Sequence, residues 1–390
     1  MEVVAVRILV ASWPGFGHLL PMVPLIRAAQ RAGAEVVVST GADLAPTAAR
    51  LGVRVHRSGA TLAASFARLN GVTSGGLPPD ERPLVAARHF FGAGAVERAR
   101  DVAALLDDWR PDLVVHDTLE LGSATAAVAH GVPHVTHGYG PTVPDTARFG
   151  HVIGETIGAA GLPDPITAVF AAPYLDPCPP GLRGPEPHPW TDLRPVRPTA
   201  GEVGEPDPDL AAALDALPHE DTVYVTLGTV TNRAPEIFRA VLEGCVRRGV
   251  NVVVTTGPDV DPAGLGPQPP GVLAARYLPQ AQVLPRCRAV VSHAGAGTMI
   301  GAVCHGLPQL CLPQGTDQPS NTAALVPTGA GLALEPGEVT PDAVATALGR
   351  LLGEPSFRRA AQRLAAEVAA MPVADEVLAE VVYEVAGAAS

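Results

Sequence analysis

The 390-residue chain contains no lysine, and all 27 of its basic residues are arginines. That absence excludes a P-loop lysine, a Schiff-base lysine and a pyridoxal-phosphate anchor together. Cysteine is sparse and unpaired: Cys178, Cys245, Cys287, Cys304 and Cys311 are odd in number and lack CxxC spacing. They read as small buried hydrophobes in a reducing compartment. Charge is also low, at 17%, and what there is leans acidic, with a net charge of −12 and no arginine cluster. A nucleic-acid partner is therefore not expected. No apolar run approaches the ~20 residues that cross a bilayer. The first such run, residues 8–11, meets Pro14 and Gly15 too soon for a signal peptide. No membrane partner is expected, and the cytoplasm is the expected location. Clusters of Asp or His with metal-ligand spacing are missing too, so no metal is expected.

What is present is apolar material in an alternating order. Hydrophobic residues make up 47% of the chain, enough for two cores of ordinary size. In the first half the pattern predicts strands at 6–11, 35–39, 53–56, 113–116 and 134–136, with a helix over 20–32. After about Pro173 prolines become dense, through Pro198, and cannot sit inside central strands or helices. This stretch reads as extended strap-like chain leading to a linker. A second series follows, with strands at 222–227, 252–255, 272–274, 289–292 and 310–312. Helices are predicted at 236–248, 342–352, 356–370 and 375–386. Alternation of this kind implies βαβ units and parallel sheets. The expected division is 1–200, a linker at 201–217, 218–372, and a last helix within 373–390.

The most informative stretch runs from Val290 to Gln318. A buried strand ends there in a turn holding His293, Gly295, Gly297 and Thr298, and a helix follows. Glycines let backbone N–H groups approach an anion, and the helix aims its positive end at it. A second strand ends at Gly315-Thr316-Asp317-Gln318. A diphosphate at the turn and a hydroxyl-rich group beside Asp317 and Gln318 would together make a nucleotide sugar.

At these residues the sequence resembles the donor-binding signature of family 1 glycosyltransferases, which have the GT-B fold. The likeness is to the actinomycete natural-product branch, such as the enediyne (calicheamicin-type) enzymes. Further pieces occur in the same order: Gly17-His18, Pro111–Asp117, Leu227-Gly228-Thr229 and Tyr277-Leu278-Pro279-Gln280. The resemblance implies an α/β protein with two facing Rossmann-like domains and a cleft between them. The first domain would bind the acceptor and the second the nucleotide sugar, with the C-terminal helix crossing back to the first.

His18 is the candidate catalytic base, placed where a helix dipole favours the proton-accepting form of an imidazole. An alcohol or phenol is a poor nucleophile at neutral pH, so such a base is needed. The alternative is a histidine that merely caps the turn. Asp117 is the candidate partner, orienting His18 through its far ring nitrogen; as an alternative it would N-cap the next helix. His293, Gly295, Gly297 and Thr298 would hold the diphosphate, with Gly17, Gly228 and Thr229 nearby. Tyr277, Leu278 and Gln280 resemble the family's base-binding corner, with Tyr277 where Trp is usual, although a core tyrosine fits as well. Asp317 and Gln318 are the candidate sugar contacts, or else an Asx turn.

One departure bears on the donor. Many relatives that use uridine nucleotides carry a glutamate eight residues after the motif histidine, on the ribose diol; here Gly301 stands there. A thymidine nucleotide lacks that diol, so a dTDP-activated, deoxygenated hexose is expected as co-substrate, with a hydrophobic natural-product aglycone as acceptor. The expected activity is an inverting, metal-independent hexosyl transfer in antibiotic biosynthesis, with no cofactor. A homodimer is left open. Three alternatives belong to the same fold: a UDP-sugar user, a nucleotide-sugar epimerase and a catalytically silent helper. A dinucleotide enzyme is disfavoured, because Leu20 and Ile300 occupy the third-glycine positions of GxGxxG.

Overall fold

In the computed structural model, residues 6–73, 81–141, 145–184, 187–200, 207–228, 235–257 and 260–388 are described. Seven parallel strands form a first sheet: β1 (Arg7–Ala11), β2 (Glu35–Thr40), β3 (Arg54–Arg57), β4 (Leu113–Asp117), β5 (His134–His137), β6 (Tyr174–Asp176) and β7 (Leu193–Pro195). Six more form a second: β8 (Thr222–Thr226), β9 (Asn251–Thr255), β10 (Val272–Ala275), β11 (Ala289–Ser292), β12 (Gln309–Cys311) and β13 (Gly331–Ala333).

The central strands are apolar on both faces because helices cover both. Ile8 and Val10 of β1 point into one core with Leu25 and Ile26 of helix Val23–Arg31. Leu9 between them points the other way, toward Val102, Leu105 and Leu106 of helix Ala93–Trp109. In the second sheet Val223 and Val225 face Phe238 and Val241 of helix Pro235–Arg247. Tyr224 faces the opposite core with Val283 and Leu284.

Strand order places the functional loops. The first sheet runs β3-β2-β1-β4-β5-β6-β7, so its winding reverses between β1 and β4. The second runs β10-β9-β8-β11-β12-β13 and reverses between β8 and β11. At such a switch point the loops leaving the two strands diverge to opposite faces and open a crevice at the carboxyl ends. His18 follows β1 and Asp117 ends β4; Gly228 follows β8 and His293 follows β11. Chain topology alone thus brings each pair of motifs together.

Three expectations change. The proline-rich segment is not all strap, since Tyr174–Asp176 and Leu193–Pro195 pair as the last two strands of the first sheet. Pro195 ends the edge strand β7, where a missing N–H is tolerated. The linker holds a helix, Pro208–Asp215, whose Asp207 side chain accepts from the N–H groups of Asp209 and Leu210. Its Leu210 and Leu214 pack into the second half. The helix expected over 20–32 begins earlier, as a short helix Phe16–Leu19, and tightens to a 3₁₀ turn at Leu20–Met22 before Val23–Arg31.

The chain returns at its end. Ala374, Val377, Leu378 and Val381 of helix Ala374–Ala388 pack into the core around β1. Arg31 holds Asp375 with two hydrogen bonds, of 2.9 and 2.7 Å. Among the described residues no helix is long and apolar enough to cross a membrane. The cysteines are free, and burial pushes the thiols of Cys245, Cys287, Cys304 and Cys311 up to about 12.

Candidate active site

Asp117 is 1% exposed, and every oxygen of its carboxylate is occupied. Oδ1 accepts from the Leu119 N–H at 2.8 Å and lies 3.1 Å from His18 Nδ1. Oδ2 accepts from the Trp13 backbone N–H. Burial works to raise this carboxyl, but the His18 imidazole and the two N–H bonds outweigh it and hold it below the usual range. A carboxylate facing Nδ1 fixes the tautomer that leaves Nε2 free to accept. The capping alternative fails on geometry, because the following helix, Leu121–His130, is capped by Glu120 through Ser123 N–H.

His18 is the third residue of the helix Phe16–Leu19, and its side chain is 14% exposed. Rings surround it: Tyr139 at 4.7 Å and Trp13 at 5.2 Å between centroids. Trp13 in turn meets Phe90 at 4.9 Å, and Phe90 meets Phe66 at 5.2 Å. Phe90 belongs to a π-helical turn, Ala87–Gly92, of the kind often found at functional sites. None of these rings was a candidate in the sequence. Trp13 could have been found as a large aromatic in the loop leaving β1; Phe66, Phe90 and Tyr139 carry no signal of their own.

Across the cleft the second half offers mostly backbone. Among the described residues no side chain caps helix Ala296–Cys304 at Gly295, and a Cβ built on Gly297 would meet no atom within 4 Å. Its first N–H groups have no intrahelical acceptors. The imidazole of His293 lies between two glycines: a Cβ on Gly228 would fall 2.5 Å from Nε2, and one on Gly295 2.4 Å. Burial pushes His293 down to about 4, so it is neutral at pH 7, and among the described residues its Nδ1 is buried without a hydrogen-bond partner. Between them Ala294 has φ +64°, a left-handed backbone costly for a residue with a Cβ. Ser292 Oγ accepts from Ala294 N at 3.1 Å, and Asn321 Nδ2 donates to Ala294 O at 3.0 Å.

The remaining candidates divide. Thr298 lies in the first turn, and its Oγ1 accepts from Gln280 Nε2 at 3.0 Å, so Gln280 braces the loop. Tyr277 is 50% exposed, with its ring 6.4 Å from that of Phe16 across the cleft, which removes the core-tyrosine alternative. Leu278 packs half-buried against the second core. Asp317 Oδ2 accepts from Asn321 Nδ2 at 2.8 Å, and so the aspartate and the strained turn share one asparagine. Asn321 escaped the sequence reading, though it stands four residues after Asp317 on the same helical face. Gln318 is buried, and its Oε1 accepts from the N–H groups of Gln314 and Gly315. That oxygen is spent on holding its own loop. Gly17 would carry a Cβ into open space. Thr229 lies outside the described residues. The halves meet where a Cβ on Gly140 would touch that of Ala296 at 2.5 Å.

Two parallel-sheet α/β halves, with a histidine–aspartate pair at the switch point of one and a glycine-rich helix start at that of the other, define the architecture of a GT-B glycosyltransferase. Residues 86–191 match the N-terminal domain, and residues 239–383 the C-terminal domain, of the erythromycin biosynthesis protein CIII-like family. The chain is 34% identical to L-demethylnoviosyl transferase of Streptomyces niveus, over 94% of this chain and 95% of the relative. It is 31% identical to the elloramycin glycosyltransferase of Streptomyces olivaceus, over 96% of each. Among solved structures, glycosyltransferase VinC in complex with dTDP superposes with a TM-score of 0.78 at 25% identity, covering 97% of this chain and 99% of VinC. The chain belongs to the erythromycin biosynthesis protein CIII-like family of glycosyltransferases, the antibiotic-decorating branch of the GT-B enzymes.

Proposed function

We propose that the protein transfers a deoxyhexose from a dTDP-sugar to a hydroxyl of a hydrophobic natural-product aglycone, with inversion and without a metal. The observation that carries this reading is the His18–Asp117 pair, at the switch point of one sheet and facing the open helix start at the switch point of the other. His18 Nε2 takes the acceptor proton while Asp117 stabilises the imidazolium that forms. The acceptor oxygen bonds to the anomeric carbon from the face opposite the leaving group. The bond from that carbon to the phosphate oxygen breaks, and its electron pair departs with dTDP. Neutral donors receive that charge: the first N–H groups of helix Ala296–Cys304 and the N–H of neutral His293. Both substrates held in one cleft supply the proximity advantage.

Support for a thymidine nucleotide comes from Gly301 and from the dTDP held by VinC. A Cβ at Gly301 would sit 3.2 Å from Leu284 Cδ1 and 3.4 Å from Gln280 Oε1, so this helix offers a ribose no carboxylate. Calorimetric titration with dTDP and UDP in metal-free buffer tests the donor. Binding of dTDP about tenfold or more tighter than UDP is expected, equivalent to roughly one good hydrogen bond. Equal affinities would move the reading to a UDP-sugar user.

A further inference from the structure

Tyr277 is 50% exposed, whereas Tyr224, Phe238 and Phe357, the other large rings of the second half, are buried. Its place in the chain ties it to the diphosphate site. Three residues on, Gln280 Nε2 donates to Thr298 Oγ1 in the first turn of helix Ala296–Cys304. Three residues of extended chain span at most about 10 Å. A nucleotide whose phosphates sit at that helix start therefore brings its base toward this ring.

The first half supplies a matching surface. Phe16 opens the short helix Phe16–Leu19 and is half-buried against the core around β1. Its ring stands 6.4 Å from that of Tyr277 between centroids, with the planes 32° apart. Rings that pack on one another for their own sake sit at about 4.5–7 Å, offset or edge to face. This pair is near the loose end of that range and nearer to parallel than to perpendicular. Arg50, also of the first half, is close enough to favour the ionised form of the Tyr277 hydroxyl, so more than one residue approaches this corner from across the cleft.

We propose that Phe16 is a donor-binding residue: the thymine of the nucleotide lies between Phe16 and Tyr277, one ring from each half. This rests on the glycosyltransferase reading above, which supplies the nucleotide. Two layers of van der Waals contact at about 3.5 Å each require about 7 Å between the ring planes. The base thus enters when the halves part by at least about half an ångström and the rings level. Movement on that scale is ordinary for two domains facing across a cleft. Stacking is tolerant of which base is stacked, so the pair grips a pyrimidine as such and leaves the choice between thymidine and uridine to the region of Gly301. A base held by both halves also draws the cleft shut. His18 stands two residues after Phe16, so the same contact brings the base catalyst toward the bound donor.

The test is calorimetric titration of the full chain with dTDP and, separately, with inorganic pyrophosphate, which carries the two phosphates without the base. Phe16→Leu keeps an apolar side chain against the first core and removes the ring. It is expected to weaken dTDP binding about tenfold, the loss of one base–aromatic stack, and to leave pyrophosphate binding unchanged. Tyr277→Leu should do the same. Unchanged dTDP binding in Phe16→Leu overturns the proposal, whatever Tyr277→Leu does. Equal weakening of dTDP and pyrophosphate by Phe16→Leu overturns it as well, because the ring would then serve the fold. Failure of the wild-type protein to bind dTDP would instead strike the glycosyltransferase reading. If Phe16→Leu misfolds, wild-type protein isotope-labelled in its phenylalanine rings decides by NMR. A nuclear Overhauser effect from the thymine methyl of bound dTDP to a phenylalanine ring supports the site, and its absence overturns it.

Discussion

The two halves share a topology but build their share of the site from different materials. Around β1 and β4 the working groups are side chains: His18, Asp117, and the rings of Trp13, Phe90 and Tyr139. Around β8 and β11 they are chiefly backbone: a left-handed Ala294, an uncapped helix start, and two glycines pressed on His293. The difference follows from what each half is proposed to hold. A diphosphate is the same in every donor, and a rigid array of N–H groups suits it. Aglycones differ in shape and polarity, and a half proposed to take them is suited to side chains that can change without disturbing the sheet.

Replacing His18 by Ala should separate the halves most sharply. Turnover is expected to fall by about 10³-fold, within the range for loss of a general base, while dTDP affinity changes less than about twofold. Initial rates and calorimetric titration of the same preparation check this. Equal loss in both would mean that His18 serves the fold. The opposite variant is Gly295→Ala, whose new Cβ has no room beside His293. Here dTDP binding should weaken about tenfold or more, and acceptor-probe binding should survive. If acceptor binding falls as far, the division into backbone and side-chain sites is wrong.

A milder test uses pH. Burial pushes His116 and His137, in the first half, and His293, in the second, down to about 4. Unfolded imidazoles titrate near 6.5, so between about pH 6.5 and 4 the unfolded chain binds more protons, and stability falls on acidification. At pH 5 the loss is about 2 kcal/mol per histidine. Asp117 behaves differently: its carboxyl lies below the usual range, so its contribution persists at neutral pH and is lost only below about 4. Scanning calorimetry from pH 7 to 5 should show Tm falling by several degrees, with His293→Gln flattening part of the slope. A Tm independent of pH over that range would contradict the burial of these rings.

The order and composition of the strands were legible because buried parallel strands must be apolar on both faces, and Ile8–Val10, Val114-Val115, Val223–Val225 and Val252–Val254 advertise this. Tyr174–Asp176, Leu193–Pro195 and Gly331–Ala333 did not, since three-residue strands at or next to a sheet edge have no periodicity to read. The glycines of the helix start and the His18 turn were legible as well, because a backbone site leaves its mark in consecutive residues. What closes around them was not. Asn321 bracing Ala294, Gln280 bracing Thr298 and Gln318 bracing its own loop are matters of side-chain packing.

By itself the sequence determined the parallel α/β architecture, the two switch-point loops and the lysine-free chemistry they must use. These rest on local backbone preferences and on hydrophobic burial, which act residue by residue. Only the tertiary structure decided that His18 meets Asp117 across 99 residues of chain, and that Trp13, Phe90 and Tyr139, from three separate stretches of chain, gather beside that pair. Contacts between residues so far apart are set by how helices and loops pack on the sheet. No spacing in the linear chain records that packing.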